Sequence, residues 1–173
     1  MRKKIFITLL FTLLLLQPTY PQGDKDLYYR GLRAAQRGQI YFSFMYFDII
    51  LKEFPESKFF EGALFAVGEY YLLASDYSDA KKKFMQFIER YPKSKATIFA
   101  FVYLLKIAEV EGKENRVLDY KKNIVTFRQI SLLFRDSQQI NYESALSKNY
   151  KAIYFIDRVE IYIDEKSFTE IPF

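Results

Sequence analysis

The chain has 173 residues, and its 26 lysines and arginines against 21 aspartates and glutamates give a formal net charge of +5. It contains neither histidine nor cysteine, which excludes Cys/His zinc sites, thiol nucleophiles, Ser-His-Asp triads and disulfides. The chain has 15 tyrosines and 18 phenylalanines, and each ring can bury about 150–250 Å², so we expect aromatic packing to stabilise the fold.

The first 23 residues are predicted to be a secretory signal peptide. The basic start MRKK precedes an apolar run of twelve residues at 5–16 (IFITLLFTLLLL), and Gln17 and Pro18 end this run. A bilayer-spanning helix needs roughly twenty apolar residues, whereas the core of a signal peptide needs about 7–15. An uncleaved membrane anchor stays open as the alternative, because the following TYPQG segment has no clear small-x-small cleavage site.

The basic charge of the chain depends partly on this segment. Without its three basic residues, 23 lysines and arginines remain against 21 acidic residues, so the mature net charge is about +2. The lysine run at 81–83 and the pair at 121–122 are interpreted as solvated helix faces. Since the sequence has no basic cluster typical of nucleic-acid binding, we predict no nucleic-acid partner.

Two stretches of the chain, 26–58 and 61–95, share a pattern of small, aromatic and proline residues at an offset of 37 residues. In each stretch, apolar residues recur at helical spacing on both sides of a turn, and a proline stops the second helix. In the second stretch the turn falls at Ser75 and Asp76, residue types that favour turns and helix N-caps. The matching pairs are Gly31 and Gly68, Ser43 and Ala80, Phe47 and Phe84, and Pro55 and Pro92.

A third stretch, 96–127, keeps only half of the pattern. Phe101, Leu104 and Ala108 continue the apolar face of a first helix. The second helix is degenerate, because Lys121 replaces the phenylalanine of the other stretches and no proline ends it. We therefore predict stacked antiparallel helix hairpins over residues 24–135, with two good repeats and one degenerate repeat.

This spacing of glycine, tyrosine, alanine, phenylalanine and proline resembles the tetratricopeptide (TPR) repeat. With SDYSDA and FIERYPKSK as its motifs, the region from Asp24 to Gly112 is also similar to envelope TPR proteins of the BamD and CpoB/YbgF types. The resemblance implies a TPR-like α-solenoid in the cell envelope, and the BamD type implies a role in outer-membrane protein assembly. The chain departs from these families because it has no cysteine for lipidation, fewer repeats and no coiled-coil stretch.

The C-terminal region is predicted to be helical as well. We expect a long helix from 114 to about 135, followed by a polar break at 136–141. Apolar residues over 142–164 suit one face of a final helix, so residues 136–173 would be a capping helix and tail. The segment RVEIYID (158–164) alternates strictly, which also fits a strand. The favoured fold class is all-α, an α-solenoid with a C-terminal capping helix.

Repeat geometry predicts a binding surface, because the first helix of each unit in a stacked array lines the concave side. Three first-helix positions recur at a spacing of 37 residues, and a second set follows one helical turn later. These candidate groove residues are Tyr28, Phe65 and Val102, followed by Leu32, Glu69 and Lys106. A groove of this apolar and aromatic kind suits a peptide segment of a protein partner. The alternative is that Tyr28 and Phe65 pack against neighbouring helices.

No motif in the sequence points to catalysis or to a cofactor. The phosphate-binding patterns GxxxxGK[ST] and GxGxxG are both missing from it. Ser57-Lys58 and Ser94-Lys95 recur after a proline and are interpreted as turns before the next helix. Pairs of neighbouring carboxylates are explained by helix ends and solvated faces. We predict no enzyme, and no catalytic, cofactor or metal site and no small-molecule substrate.

The sequence therefore predicts a non-catalytic adaptor of the bacterial cell envelope that binds peptide segments of a partner in a concave helical groove. We expect it to be exported to the periplasm or to the periplasmic face of the outer membrane. Membrane contact is expected only through the N-terminal segment, if that segment stays uncleaved. Two alternatives stay open: an obligate accessory subunit of an envelope complex, and an envelope hydrolase with a carboxylate site.

Overall fold

The computed structural model describes residues 23–126 and 138–173 of the chain, as six helices followed by four strands. The helices are α1 (Asp24–Gln36), α2 (Ile40–Glu53), α3 (Phe60–Leu73), α4 (Tyr77–Arg90), α5 (Thr97–Val110) and α6 (Glu114–Thr126). None of these helices combines the length and the apolar content that a bilayer crossing requires. The predicted signal peptide lies almost wholly outside the described residues, as does the end of the predicted helix that would reach residue 135.

The six helices pack in sequence as three hairpins. Helix α1 packs on α2, α3 on α4 and α5 on α6, and successive hairpins meet through α2 with α3 and through α4 with α5. The connections are short, which makes consecutive helices antiparallel neighbours. The predicted stack of helix hairpins is confirmed for residues 24–126.

Glycines at one shared position of the first two hairpins allow their helices to approach closely. A Cβ atom added to Gly31 would lie 2.5 Å from the ring of Phe47, and one added to Gly68 would lie 2.8 Å from the ring of Phe84. Both rings are fully buried. The two glycine–phenylalanine contacts lie 37 residues apart, so the repeat found in the sequence is also a repeat of packing.

Replacing Gly68 with alanine is expected to destabilise the protein by about 1–3 kcal/mol, because the new methyl group would overlap the buried ring of Phe84. The higher helix propensity of alanine offsets about 1 kcal/mol of that cost at most. Urea unfolding followed by circular dichroism measures the change. Gln86→Ala is the control, since Gln86 is exposed in the interior of α4. Equal stabilities of the two variants would contradict the predicted overlap.

The helices end at the polar and proline residues that the sequence indicates. Asp76 caps α4, because its Oδ1 accepts a hydrogen bond from the backbone N–H of Asp79 at 3.1 Å. Ser75 precedes this cap in the left-handed region, at a φ of 59°. Helices α2 and α4 end two residues before Pro55 and Pro92. The predicted turn and both predicted helix stops are confirmed.

The two serines that recur after the prolines make the same pair of hydrogen bonds. Ser57 Oγ accepts one from the backbone N–H two residues later, at 3.0 Å, and donates one to Asp24 at 2.5 Å. Ser94 repeats both contacts, with Glu61 as its acceptor at 2.5 Å. Each serine therefore ties the loop that follows a hairpin to the first helix of that hairpin. The interpretation of both serines as turn residues is confirmed.

The C-terminal region is an antiparallel sheet, and the predicted capping helix over 142–164 is wrong. The strands are β1 (Gln138–Glu143), β2 (Asn149–Tyr154), β3 (Arg158–Ile163) and β4 (Lys166–Pro172), in the spatial order β1-β2-β3-β4. The fold is therefore not all-α, because a helical stack is joined to a sheet. The alternative for 158–164 is confirmed, since these residues contain β3. The predicted polar break at 136–141 contains most of β1.

Backbone conformation and alternating burial explain why this region is not helical. Ser147, in the connection from β1 to β2, has a φ of 60°, and Asp164 and Glu165, between β3 and β4, have φ values of 50° and 62°. Positive φ at both central residues suits a two-residue hairpin turn and would interrupt a helix. Burial alternates along β2 and begins to alternate in β3, as expected for a sheet with one face on a core.

The buried face of the sheet packs on the first helices of the second and third hairpins. The ring centre of Tyr150, in β2, lies 5.8 Å from that of Phe65 in α3 and 5.0 Å from that of Phe99 in α5. The Tyr154 hydroxyl donates a hydrogen bond to a backbone carbonyl of α6 at 2.9 Å. The second and third hairpins and the sheet therefore share one hydrophobic core.

Candidate functional site

The six predicted groove residues lie on the first helices α1, α3 and α5, and half of them are inaccessible. They divide into a buried set, Phe65, Glu69 and Val102, and a half-buried set, Tyr28, Leu32 and Lys106. At most 1% of each buried member is exposed, so the described structure offers no open groove at these three positions.

The chain's own sheet covers much of this face. Lys106 Nζ lies 5.7 Å from the ring centre of Phe168 in β4, and Phe65 meets rings of β1 and β2. At the end of this face formed by α1, Tyr28 stacks on Phe59 with a centroid distance of 4.7 Å. The turn between β1 and β2 packs in the same hydrophobic cluster as Tyr28. Tyr28 and Phe65 both therefore make packing contacts within the chain.

Glu69 is the centre of a buried polar cluster between α3 and the sheet. The Tyr150 hydroxyl donates a hydrogen bond to Glu69 and lies 2.6 Å from the hydroxyl of Tyr103. Lys148 Nζ lies 3.6 Å from the same carboxylate oxygen. Burial raises the pKa of Glu69, and this effect outweighs the opposing influence of Lys148 and Tyr150. Glu69 is fully buried, so the cluster attaches the sheet to α3 and keeps this carboxylate away from solvent.

A row of exposed apolar side chains runs along the outward side of α2. Four residues at the spacing of helix neighbours keep large exposed fractions, which are 58% for Tyr41, 53% for Phe42, 42% for Met45 and 37% for Ile49. We call these four residues the α2 stripe. The ring of Tyr41 also lies 6.5 Å from that of Tyr70, which extends the stripe toward α3.

The other two hairpins carry polar residues at the positions of the α2 stripe. On α4 the equivalents, 37 residues later, are Ser78, Asp79, Lys82 and Gln86, and on α6, after 37 more, they are Asn115, Arg116, Asp119 and Asn123. All eight are exposed or partly exposed. The outward position therefore accepts polar residues in this fold, and packing inside the stack does not explain the apolar residues of α2.

Basic residues of α1 border the α2 stripe. Arg30, Arg33 and Arg37 line a depression of about 360 Å³ together with two aromatic residues of α2, Phe42 among them. Arg30 forms an ion pair with Asp26 at 2.8 Å. No ion pair is formed by Arg33 or Arg37 with any other described residue. We call these two residues the arginine flank, because they leave a net positive charge beside the stripe.

Some charged residues elsewhere on the described surface are paired with each other, whereas others, such as Arg116 and Lys122 on α6, form no ion pair with another described residue. In the cleft between α4 and α6, Lys81 and Lys113 both contact Glu111, at 3.2 and 2.7 Å. Over residues 23–126 and 138–173, no group of three or more acidic side chains is placed to hold a metal ion. The α2 stripe and the arginine flank together place four exposed apolar side chains beside two arginines that form no ion pair with another described residue.

This surface is not among the sites predicted from the sequence, although the difference between α2 and α4 is visible there. Aligning α2 with α4 at the repeat offset places Phe42 opposite Asp79 and Met45 opposite Lys82. A large apolar residue at a position that is polar in a sister repeat indicates a function outside the stack. The first-helix face was predicted to be an open groove because repeat geometry alone cannot show that a later part of the chain fills it.

The fold defines a class of protein in which stacked helix hairpins carry an antiparallel sheet on their first-helix side. Comparison with models of known protein families and with curated proteins finds no match to this chain. The resemblance to TPR proteins of the BamD and CpoB/YbgF types therefore stays a prediction based on the repeat motifs.

Proposed function

We propose that the protein is a non-catalytic adaptor of the bacterial cell envelope that binds a protein partner through the outward side of α2. The observation that carries this proposal is the α2 stripe, which is apolar where the sister helices are polar. Tyrosine, phenylalanine and methionine are enriched in the cores of protein interfaces. Large exposed apolar side chains that share one surface mark interaction sites more often than isolated ones do.

The location of the stripe changes the predicted mode of binding. A partner segment in the first-helix groove would have to displace the sheet, including the contacts of Tyr150 with Phe65 and Phe99. The α2 stripe needs no such displacement, because its side chains are already exposed. Binding on the second-helix side therefore leaves the core intact, and the groove is used for packing the chain's own sheet.

The proposed compartment depends on the N-terminal segment and on the repeat resemblance. The basic and apolar start supports export to the periplasm or to the periplasmic face of the outer membrane. The similarity to BamD-type proteins supports a role in outer-membrane protein assembly. An obligate accessory subunit is the second candidate, because a permanent partner would also cover the α2 stripe. The protein isolated without its partner should be a stable monomer if it is an adaptor, and should aggregate if it is such a subunit.

Transplanting the α4 residues onto α2 tests the proposal. The variant Tyr41→Ser/Phe42→Asp/Met45→Lys/Ile49→Gln carries on α2 the residues that α4 already tolerates. We expect the amount of crosslinked partner recovered with this variant to fall at least about tenfold. A tenfold loss of affinity corresponds to about 1.4 kcal/mol of binding free energy. Its melting temperature should change little, since surface substitutions usually alter stability by about 0.5 kcal/mol or less. Quantitative crosslinking in the native envelope, followed by copurification, measures the loss.

A matched control uses exposed apolar residues away from α2. Leu118 and Ile156 are 67% and 68% exposed, so Leu118→Ser/Ile156→Ser removes exposed apolar area of a similar kind. This control should keep its partner. Undiminished recovery of the partner by the α2 variant would contradict the proposal, and so would equal losses in both variants.

A further inference from the structure

We infer that the α2 stripe and the arginine flank together form a docking site for an amphipathic helix that carries acidic residues along one edge. This inference rests on the proposed adaptor function and names the chemistry of the partner. It is argued from the shape of the stripe, from the charge beside it, and from a comparison with two other occupants, a second copy of the chain and a membrane surface.

The shape of the stripe favours a helical partner. Residues 41, 45 and 49 are successive i, i+4 neighbours, so the stripe forms a row about 12 Å long on one side of α2. The backbone N–H and C=O groups of α2 are used within the helix, so an extended peptide would gain no backbone hydrogen bonds there. A second helix needs none, because its apolar i, i+3, i+4 and i+7 side chains can pack between those of the stripe.

The charge beside the stripe favours acidic residues on that helix. Arg33, in the last turn of α1, and Arg37, just after the helix, both line the depression beside Phe42. A carboxylate in the depression beside Phe42 would meet two guanidinium groups, each able to donate paired hydrogen bonds. The other end of the stripe has no unpaired cation on α2, because Lys52 is paired with Asp48 at 2.6 Å, and Glu53 lies one helical turn beyond Ile49. The partner should therefore concentrate its acidic residues toward one end.

The same charges disfavour a second copy of the chain. In a two-fold contact, the same surface patch is used by both copies. Both arginine flanks would then enter or border one interface, and Glu53, one helical turn beyond Ile49, would neutralise only one of the two arginines of each copy. An acidic partner removes this repulsion and gains ion pairs in its place.

A membrane surface is disfavoured by the neighbouring hairpins. Helix α4 presents Asp79 and Lys82 at the stripe positions, paired with each other at 2.7 Å, and α6 presents only polar residues there. An interfacial membrane helix needs a continuous apolar face with basic residues around it. Of the three described hairpins only the first has these properties, so the surface fits one helix better than it fits a bilayer plane.

Two synthetic amphipathic helices test the inference on the protein as isolated. They share one apolar row, and their flanking residues are glutamates in the first and lysines in the second. We expect the acidic probe to bind at least about tenfold more tightly than the basic probe, measured by fluorescence anisotropy. The preference should shrink from about 50 to about 500 mM salt, because these exposed charges are screened.

Charge reversal separates the inference from the adaptor proposal. Arg33→Glu/Arg37→Glu should abolish or invert the preference, whereas the control Arg116→Glu/Lys122→Glu on α6 should leave it unchanged. The polar α2 variant should lose both probes. If that variant loses both probes while charge reversal changes nothing, the adaptor proposal stands and the acidic partner is overturned.

Three other results would also overturn the inference. One is failure of both probes to bind. Another is arginine-dependent binding of phosphatidylglycerol vesicles without binding of either probe, which would identify a membrane occupant. The third is a dimer in analytical ultracentrifugation that the polar α2 variant dissolves, which would identify a second copy.

Discussion

Replacing Tyr150 with alanine should lower the free energy of unfolding by about 3–5 kcal/mol, the cost of truncating a large buried aromatic residue. Its ring contacts Phe65 and Phe99 on two different helices, and only 2% of its surface is exposed. Its hydroxyl also links Glu69 to Tyr103. The substitution therefore removes both the apolar and the polar attachment of the sheet to the helices. Urea unfolding followed by circular dichroism and tyrosine fluorescence measures the effect.

Two further variants resolve the contributions to this effect. Tyr150→Phe keeps the ring and removes the hydroxyl, so it should cost about 1–3 kcal/mol by leaving buried polar groups without their partner. Tyr41→Ala is the control for loss of a tyrosine at an exposed site, since Tyr41 is 58% exposed; its cost should be about 0.5 kcal/mol or less. If Tyr150→Ala were no more costly than Tyr41→Ala, the sheet would not be held on α3 and α5.

The repeat could be predicted because its determinants are local. Gly68 and Phe84 face each other across one hairpin. Asp76 caps the start of a helix with its side chain, and Pro92 cannot continue a helix. Each of these residues acts within a short stretch of chain. The same residue types recur 37 residues earlier, so the helix hairpin predicted for the second stretch is also predicted for the first.

The sheet was mispredicted because its apolar residues satisfy two periods at once. Over 142–164 they suit one face of a helix, while 158–164 alone alternates as a strand. The deciding features are the reversals at Ser147 and at Asp164 and Glu165, where a non-glycine residue adopts positive φ. Both connections lack the glycine or asparagine that usually marks a positive φ in a hairpin turn, so the sequence pattern did not reveal them.

The occupied groove could not be predicted, because it depends on contacts between distant parts of the chain. Phe65 suits a groove wall in a stack of hairpins, and nothing near it in sequence shows that Tyr142 and Tyr150 will cover it. Repeat geometry placed the six candidate residues on the first helices but could not show that the sheet packs against them. The α2 stripe is the opposite case, since a comparison of sister helices would have found it from sequence alone.

Replacing Glu69 with glutamine should make the protein progressively more stable than the unmodified protein as the pH rises above about 4.5. A glutamate in the unfolded chain titrates near 4.5, and burial raises the pKa of Glu69 in the folded chain. Between these two pKa values the unfolded state loses its proton first, so the unmodified protein loses about 1.4 kcal/mol of stability per pH unit from this group. Glutamine does not titrate. The stability of both proteins by urea unfolding from about pH 4 to about pH 8 measures the difference.

The difference between the two curves isolates Glu69 from the other carboxylates. Neighbouring charges and hydroxyls lower the pKa of Glu111, beside Lys113, and of Glu160, beside Tyr162. These two groups stabilise the fold as the pH rises, and they do so equally in both proteins. Glu143→Gln, on the solvent side of β1, should follow the unmodified protein. Parallel curves for Glu69→Gln and the unmodified protein would mean that the sheet does not keep Glu69 from water, and the docking of β2 on α3 would then have to be abandoned.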